Sequence, residues 1–299
     1  MNFSPPVIVI IPHWNRRDDL RRCLCSLEKQ TYPHRVLVVD NASTDGSAEM
    51  LEKEFAYAQL YRCEQNLGFG GAVNVGLRLA VDGRAKYVLL LNNDTVAHPR
   101  LLEHLVRFAQ EDPARGVVAP SIYYLQPPER LWSAGGEVNL ARCLCRQLTE
   151  SGEAPRKVDY ASGCALLVSV KMVECVGMLD PRFFMYFEEV DWCLRARRAG
   201  FEVWHLPQAK MWHAVSTTLG KDSPAVHYYM TRNRLLLLQK NRGLPAALLV
   251  MGTEYFRSFA VAGLRRERAR SRALWQAMAD FISQRFGEKP PGNLEAAEK

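Results

Sequence analysis

The sequence contains no long apolar run and does not begin like a secretory leader. No stretch of about eighteen consecutive apolar residues occurs among its 299 residues, so we expect no helix that spans a membrane. The first residues, MNFSPPVIVI, lack the basic segment of a signal peptide and lead directly into a strand-like run. Together these absences predict a cytoplasmic protein.

Cysteine pairs with the spacing of a zinc site are scarce as well. The eight cysteines are scattered, and only Cys23 with Cys25 and Cys143 with Cys145 are separated by a single residue. The first pair falls on a predicted helix, where residues two apart point to different faces. We therefore expect reduced thiols, several of them buried, and no zinc site.

A basic surface over the whole molecule is the third missing feature. The net charge is +7, yet residues 232–285 hold eleven Lys and Arg against three acidic residues, which leaves the rest of the chain at about −1. A near-neutral body with a basic C-terminal part argues against nucleic acid as the main partner.

Strand-like and helix-like segments alternate regularly over the first 120 residues. The sequence predicts strands at 7–11, 36–40, 59–62, 87–92 and 117–119, with helices at 16–30, 44–55, 69–81 and 99–111. Alternation of this kind predicts an α/β fold in which a mainly parallel, Rossmann-like sheet is flanked by helices.

The pattern weakens after residue 120. Short antiparallel strands are predicted up to residue 168, followed by helices at 170–177 and 188–200 and strands at 201–206 and 209–213. Further helices are predicted at 225–240, 246–264 and 273–286, and a frayed tail after Gly287. We therefore expect two halves of one α/β domain, 1–120 and 121–222, and a basic helical region, 223–299.

Polar or glycine-rich loops follow four predicted strands. They are Pro12–Asn15, Asp40–Asn41, Asn66–Gly71 and Asn92–Asp94. Asn, Asp and Ser also cap helices and form turns, so each loop has a structural explanation of its own. However, ligands of parallel sheets bind outside the carboxyl ends of the strands, and four such loops predict a ligand site at that edge.

Individual residues in these loops suggest particular chemistry. A carboxylate at the end of a strand, such as Asp40, could accept a hydrogen bond from the imide N–H of uracil or thymine. Small residues at the head of the helix after Asn66 would let a ligand approach the backbone. Asp94 beside Asn92 suits Mg²⁺ if a diphosphate, water and a further side chain such as His213 complete the coordination.

The segment FFMYFEEVDWCLRARRAG places three carboxylates in the first turn of a helix. Acidic residues there stabilise the helix dipole, which is a sufficient structural reason for them. The aromatic residues just before them would surround Glu188, Glu189 and Asp191 with apolar groups, which raises the pKa of a carboxyl group and suits a general base.

These blocks together resemble the family 2 glycosyltransferases of the GT-A fold, in particular the rhamnosyltransferase-like branch. The resemblance rests on VIIPHWNR, VVDNASTDGS, NLGFGGAVNVGL, LLLNNDT, SGCALLV, LDPRFFMYFEEVDWCLRARRAGF and HAVST, in the family's order from about residue 7 to residue 241. It implies inverting transfer of a sugar from a nucleotide diphosphate, dTDP or UDP, with Mg²⁺ or Mn²⁺.

The resemblance also assigns roles to residues. Asp40 would recognise the pyrimidine, and Pro12, Trp14 and Asn15 would line the base and ribose pocket. Further nucleotide-binding positions would be Asn66, Gly68 and Asn93. Metal ligands would be Asn92, Asp94 and His213.

Two departures from the family pattern leave assignments open. The first member of the D-x-D-like metal motif is Asn92, which leaves one acid in the motif. The position of the catalytic base usually carries Asp and here carries Glu189, so the base remains open among Glu189, Glu188 and Asp191.

The resemblance also implies an acceptor that is a glycan or a polyprenyl-linked glycan of a cell-surface polysaccharide. The apolar segment 246–264 and the arginines after it are consistent with peripheral contact with the inner face of the cytoplasmic membrane, or with a helical cap or homodimer contact. Two alternative functions remain. One is a sugar nucleotidyltransferase, which would need a glycine-rich loop after the first strand, whereas the segment PHWNRRDD found there has no glycine. The other is a non-enzymatic nucleotide- or RNA-binding module.

Overall fold

A computed structural model describes residues 7–139, 141–142, 144–215 and 223–288. These residues form two compact units. The sheet unit comprises the described parts of Met1–Glu137, Arg146–Leu179 and Glu189–Ser216, and the helical unit comprises those of Val138–Cys145, Asp180–Glu188 and Thr217–Lys299. Cys143, Ser216, Thr217 and the predicted tail beyond residue 288 lie outside the described residues.

A ten-stranded sheet organises the sheet unit. Along its main path the strands lie in the order β10-β12-β6-β11-β4-β1-β2-β3, with β5 paired to β12 and β7 paired to β6. Their bounds are β1 Val7–His13, β2 Arg35–Asp40, β3 Ala58–Arg62, β4 Tyr87–Leu91, β5 Thr95–Ala97, β6 Arg115–Tyr124, β7 Leu131–Ser133, β10 Arg156–Lys157, β11 Ala165–Ser169 and β12 Glu202–His213. A separate two-stranded sheet pairs β8, Gly136–Asn139, with β9, Leu144–Gln147.

Six helices of the described residues accompany these strands. They are α1 Arg17–Leu27, α2 Ser47–Glu54, α3 Gly68–Asp82, α4 Leu101–Gln110, α5 Val170–Val176 and α6 Glu188–Arg198. Strands β1 and β4 are buried along almost their whole length, as expected for strands covered by helices on both faces. The predicted α/β architecture with a mainly parallel sheet is confirmed.

Strand β11 interrupts the parallel order. It runs antiparallel to both of its neighbours, β4 and β6, whereas β1, β2, β3 and β4 pair in parallel and β12 pairs in parallel with β6. Six strands therefore share one direction. Their carboxyl ends form one edge of the sheet.

Strand β12 differs from the prediction of two separate strands at 201–206 and 209–213. The structure has one strand with an irregularity in its pairing to β6 between Leu206 and Lys210. Pro207 lies at this irregularity, and a proline has no N–H to donate to the neighbouring strand. The proline disturbs the pairing without ending the strand.

The helical unit contains α7 Pro224–Arg242, α8 Leu244–Val250, α9 Phe256–Leu264 and α10 Arg268–Ile282. The helix predicted at 246–264 is present as a helical run from Leu244 to Leu264, in which a π-helical turn, Met251–Tyr255, lies between α8 and α9. Helices α7 and α10 pack around Phe184, Tyr228, Tyr229, Ala273 and Ala277. Among the described residues, no helix is both long and apolar enough to cross a bilayer.

Candidate active site

The loops predicted to bind a ligand follow neighbouring parallel strands. Strands β4, β1, β2 and β3 lie side by side, and the loops after them leave from the same edge of the sheet. Asp40, the last residue of β2, lies opposite His13, the last residue of β1. The predicted site residues are far apart in the sequence, but the loops that carry them start next to one another at this edge of the sheet.

Asp40 is buried, with 2% of its surface exposed. One carboxylate oxygen accepts a hydrogen bond from the Ser43 amide at 3.1 Å, and the other lies 4.0 Å from Nε of Arg62. Carboxylate oxygens can each accept more than one hydrogen bond, so these contacts leave capacity for a donor N–H of a ligand.

The loop after β1 is held against the loop after β2. The Asn15 amide donates to Oγ of Ser43 at 2.8 Å, and Oδ1 of Asn15 accepts from the Thr44 amide at 3.0 Å. Asn15 has a positive φ of 56°, a conformation that asparagine tolerates better than most residues. Trp14 next to it is 44% exposed and Pro12 is half-buried, so an aromatic ring is presented to solvent at this loop.

Asn66 and Gly68 form a turn at the start of α3. Oδ1 of Asn66 accepts from the Gly68 amide and from the side chain of Asn41, both at 2.8 Å. Gly68 has a φ of 71°, which favours glycine. The Asn66 side chain thus shapes this loop, whatever it contributes to a ligand.

His13 is a buried residue that the sequence analysis did not single out. Its Nδ1 lies 2.8 Å from Nδ2, the side-chain amide nitrogen of Asn93. Because an amide nitrogen can only donate, Nδ1 accepts this hydrogen bond, and the proton of the neutral ring resides on Nε2. Burial lowers the pKa of His13 to about 4, against the opposing charges of Asp40 and Asp45. Nε2 is buried and has no hydrogen-bond partner among the described residues.

Asp94 and His213 approach each other at the end of β4. Pairing of β5 with β12 places His213 opposite Thr95, and Nε2 of His213 lies 3.1 Å from Oδ1 of Asp94. Both residues are less than a tenth exposed. Burial disfavours the charged imidazole, but Cys164, which hydrogen-bonds the ring, and the hydrogen bond and negative charge of Asp94 leave the pKa of His213 raised.

Asn92 contributes its backbone to the same region. Its amide donates to the carbonyl of Cys164 at 2.9 Å, and its carbonyl accepts from the Thr95 hydroxyl at 2.7 Å. Cys164 was not singled out from the sequence either; burial raises the pKa of its thiol, so it is a neutral neighbour of His213.

Asp94 and His213 are chemically suited to a divalent cation. Among the described residues, no group of three or more His, Cys, Asp and Glu side chains could hold a metal by itself. A carboxylate and an imidazole that already converge are nevertheless adequate for Mg²⁺ or Mn²⁺ when phosphate oxygens and water supply the remaining ligands.

Glu189 lies beside the loop that carries Gly163. Its carboxylate accepts hydrogen bonds from the amides of Gly163, Val190 and Glu189 itself, yet burial outweighs them and raises its pKa. The atom Oε2 is buried with no hydrogen-bond partner among the described residues. A Cβ at Gly163 would lie 3.4 Å from the Phe69 ring and 3.7 Å from Cβ of Glu189, so Gly163 lies directly against Glu189.

The two neighbouring acids differ from Glu189. Asp191 is 1% exposed and accepts from Nε of Arg195 at 2.9 Å, one helical turn later. Arg195 also donates to the carbonyls of Val176 and Met178, so this pair fastens α6 to the chain before it. Glu188, the first residue of α6, belongs to the helical unit and is 4% exposed.

A continuous path of contacts joins these residues within the sheet unit. It runs from Asp40 through its strand neighbour His13 to Asn93, then along the chain to Asp94, across to His213 and Cys164, and along the chain to Gly163 and Glu189. A separate cleft of about 430 Å³ lies at the amino ends of β4 and β6, and none of the predicted site residues lines it.

Comparison with known proteins gives these residues a context. Residues 8–177 match the family model described as Glycosyl transferase family 2. The chain belongs to glycosyl transferase family 2. It is therefore a glycosyltransferase, and this match favours sugar transfer over the nucleotidyltransferase and RNA-binding alternatives.

Two similar proteins are rhamnosyltransferases by name. The dTDP-rhamnosyl transferase RfbF of Shigella flexneri is 25% identical over 78% of this chain and 79% of its own length. The N-acetylglucosaminyl-diphospho-decaprenol L-rhamnosyltransferase of Mycobacterium tuberculosis is 30% identical over 70% of this chain and 75% of its own.

Solved structures show the fold. The mannosyltransferase PcManGT from Pyrobaculum calidifontis, in complex with GDP-Man and Mn²⁺, superposes with a TM-score of 0.59 at 17% identity over 95% of this chain and 88% of its own. Residues 1–349 of TarS from S. aureus give 0.59 at 18% identity over 97% and 81%. The predicted GT-A fold is confirmed.

Proposed function

We propose that this protein transfers a sugar, with L-rhamnose from dTDP-L-rhamnose as the first choice, to a polyprenyl-diphosphate-linked glycan. The donor is suggested by the name of the Shigella relative, and the acceptor class by that of the mycobacterial relative. The observation that carries the proposal is the path of contacts from Asp40 to Glu189, because it connects a base-reading position, a cation-binding position and a proton acceptor.

The donor nucleotide would be recognised at the loops after β1 and β2. Asp40 would accept the imide N–H that thymine and uracil share, and guanine presents a different pattern of donors and acceptors. Trp14 and Asn15 would contact the base and the ribose, with Pro12 behind them. The amide of Asn93, oriented by His13, and the turn of Asn66 and Gly68 would lie along the rest of the nucleotide.

The diphosphate would be held near Asp94. Asp94 and His213, with Asn92 beside them, would hold Mg²⁺ or Mn²⁺, which when bound neutralises the charge that develops on the departing diphosphate. Ionised Asp94 by itself would repel a diphosphate, so the cation also removes an electrostatic obstacle to donor binding.

Glu189 would act as the general base. The acceptor hydroxyl attacks the anomeric carbon from the side opposite the diphosphate, its proton passes to Oε2 of Glu189, and the bond from the anomeric carbon to the diphosphate oxygen breaks, which inverts the configuration. Oε2 of Glu189 is without a hydrogen-bond partner among the described residues, whereas the carboxylate of Asp191 is bound by Arg195. This contrast supports Glu189 over Asp191 as the proton acceptor.

A panel of donors tests the proposal. We expect dTDP- and UDP-sugars to raise the melting temperature more than GDP-sugars, and Mn²⁺ or Mg²⁺ to increase the shift. Asp40→Asn should remove the preference for pyrimidines, with Asp18→Asn on exposed α1 as the matched control. Transfer to a polyprenyl-diphosphate-linked N-acetylglucosamine, followed by mass spectrometry, identifies the sugar. Equal binding of GDP-sugars, or no transfer from any donor, contradicts the proposal.

An acceptor of this class resides in a membrane. We therefore also propose that the protein works at the cytoplasmic face of the membrane as a peripheral protein.

A further inference from the structure

The helical run from Leu244 to Leu264 exposes an apolar face. Backbone conformations at Met251 and Tyr255 are helical, so α8, the π-helical turn and α9 follow one another without a break. Exposed positions recur every three or four residues along the run: Pro245, Leu248, Leu249, Gly252, Thr253, Phe256, Arg257, Ala260, Val261 and Leu264. Only Thr253 and Arg257 among them are polar. Helices on the surface of globular proteins normally show the opposite arrangement, with polar residues outward.

The other face of this run is fixed within the helical unit. Ala247, Val250 and Ala262 are buried. Glu254 accepts from Arg234 at 2.9 Å and from Arg142 at 2.5 Å. Because these contacts hold the run in one orientation, folding of this chain leaves the apolar face uncovered by the described residues.

An exposed aromatic group extends the apolar face towards α10. The rings of Phe256 and Phe259 lie 6.0 Å apart, and those of Phe259 and Trp275 lie 5.8 Å apart. Trp275 is 55% exposed and Leu264 is 85% exposed. Tryptophan is enriched where proteins meet the boundary between lipid and water, since its ring is apolar and its N–H is polar.

Positive charge is concentrated at the C-terminal end of the helical run. Between residues 255 and 279 the chain has six arginines, Arg257, Arg265, Arg266, Arg268, Arg270 and Arg272, and a single acid, Glu267. All six arginines are exposed. Glu267 is engaged by Arg270 at 3.0 Å. The surface therefore combines exposed apolar side chains with a net excess of cations.

We infer that the apolar face, with the six arginines, docks onto the surface of an anionic lipid bilayer, with the helical run lying in the plane of the interface. Apolar side chains would enter the boundary between headgroups and acyl chains, and the arginines would bind lipid phosphates. A second copy of this chain on the same face would bring two arginine clusters together, which like-charge repulsion disfavours. The inference deepens the proposed function, on which it rests for the membrane-bound acceptor.

Vesicle flotation of the full chain tests the inference. We expect binding to vesicles of phosphatidylcholine with phosphatidylglycerol and little binding to phosphatidylcholine alone. The double variant Leu249→Glu/Leu264→Glu should bind about tenfold or more weakly, because charged groups replace the inserted side chains. Leu249 is 67% exposed, so neither change should affect folding, which circular dichroism verifies. The matched control is Leu79→Glu on α3, where the leucine is 40% exposed.

Replacement of arginines measures the electrostatic contribution to vesicle binding separately from the apolar contribution. Arg265→Gln/Arg266→Gln/Arg268→Gln should weaken binding to anionic vesicles at low salt, and 1 M salt should abolish that difference, since it screens charges beyond about 3 Å. Equal vesicle binding by the double glutamate variant and the wild type would overturn the inference. So would a dimer in light scattering that the double variant dissociates, with no vesicle binding by the wild type.

Nucleotide binding in the absence of vesicles keeps the two proposals distinct. If a variant loses vesicle binding but still binds dTDP- or UDP-sugars, the substitution has affected membrane docking and not the donor site. A wild type that binds vesicles but no nucleotide-sugar would instead contradict the proposed function.

Discussion

The two units each bury a polar cluster, and the two clusters are completed in different ways. In the helical unit, Arg232 and Asn233 of α7 are almost inaccessible to solvent. In the sheet unit, the buried polar groups include His13, Asp40, Asp94 and His213 at the carboxyl edge of the strands. Since buried polar groups are normally hydrogen-bonded, the way in which each cluster meets this requirement indicates its role.

The cluster in the helical unit is satisfied by the protein's own backbone. The side-chain amide of Asn233 donates to the carbonyls of Phe183, Met185 and Tyr186 at 2.6–3.0 Å. Arg232 donates to the carbonyls of Arg182, Phe183 and Gly287 and to the Tyr228 hydroxyl. These bonds hold a segment in which Phe184, Tyr186 and Phe187 have positive φ angles, so this cluster is structural.

The cluster in the sheet unit retains atoms without partners. Among the described residues, Nε2 of His13 and Oε2 of Glu189 have no hydrogen-bond partner. A single buried atom without a partner does not identify a ligand site, because Nδ1 of His205 in β12 also has no hydrogen-bond partner among the described residues. Two such atoms on one path of contacts, at the edge where parallel sheets bind ligands, are what we expect of a site that a substrate completes.

The largest effect is expected at Glu189. Glu189→Gln should lower kcat by about 10²–10⁴-fold, because the amide cannot accept the proton, while affinity for the nucleotide-sugar stays within about twofold. The protein should unfold at the same or a higher temperature near neutral pH, because a buried carboxylate is removed. Asp191→Asn, which removes the negative charge that pairs with Arg195, is the contrast, with lower stability expected. Unchanged turnover in Glu189→Gln would remove Glu189 from the mechanism.

Arg232 should show the opposite behaviour. Arg232→Met removes hydrogen bonds to three backbone carbonyls and leaves buried acceptors unpaired, so we expect the free energy of unfolding to fall by about 3–5 kcal/mol. Urea denaturation measures it. The control is Arg107→Met, whose salt bridge with Glu103 is exposed and should contribute less than about 1 kcal/mol. A loss no larger than that of the control would show that the cluster is not structural.

His13 and His205 form a matched pair for a smaller effect. Both are buried, and burial lowers the pKa of each to about 4, so both are neutral at pH 7. Only His13 lies at the ligand edge, where Nε2–H can donate to a bound nucleotide. His13→Phe should weaken nucleotide binding about fivefold, as for the loss of one hydrogen bond, and His205→Phe should leave it unchanged. Equal effects of the two substitutions on calorimetric affinity would argue against a ligand contact.

Much of the fold could be predicted because its first half has clear periodicity. Strand β4 follows from an uninterrupted apolar run, and the amphipathic face of α4 follows from apolar residues spaced by three and four. Antiparallel strands are predicted for the region up to residue 168, which includes most of β11, but the buried run ALLVS itself has no feature that encodes the direction of this strand. Helix α10 begins five residues before its predicted start at 273, because its first turn is rich in arginine and has no apolar spacing.

For the candidate site, the sequence predicts which loops contribute residues but not the contacts that those residues make. The rule for the carboxyl ends of parallel strands selects Asp40 and Asp94 from sequence alone. The contact between His13 and Asn93 depends on the alignment of β1 with β4, residues eighty positions apart. The hydrogen bonds of Asn233 to the segment before α6 likewise depend on tertiary packing. Local patterns thus locate a site, whereas partners of its buried atoms require the fold.

The smallest and most specific effect concerns pH. Burial raises the pKa of Glu189 above its ordinary value of 4.5, so the acid limb of kcat/KM should lie above pH 4.5 at saturating metal and be absent in Glu189→Gln.

The stability of the protein should depend on the protonation of the same carboxyl group. Below about pH 4.5 the carboxyl is protonated in both the folded and the unfolded protein, and this favours the folded state because its pKa is the higher one. As pH rises through the folded pKa that contribution is lost, so the stability of Glu189→Gln relative to wild type should increase over this window. A difference that does not change with pH in parallel denaturation curves would show that Glu189 is not buried as a carboxylate, and the contrast between the two clusters would then rest on His13 alone.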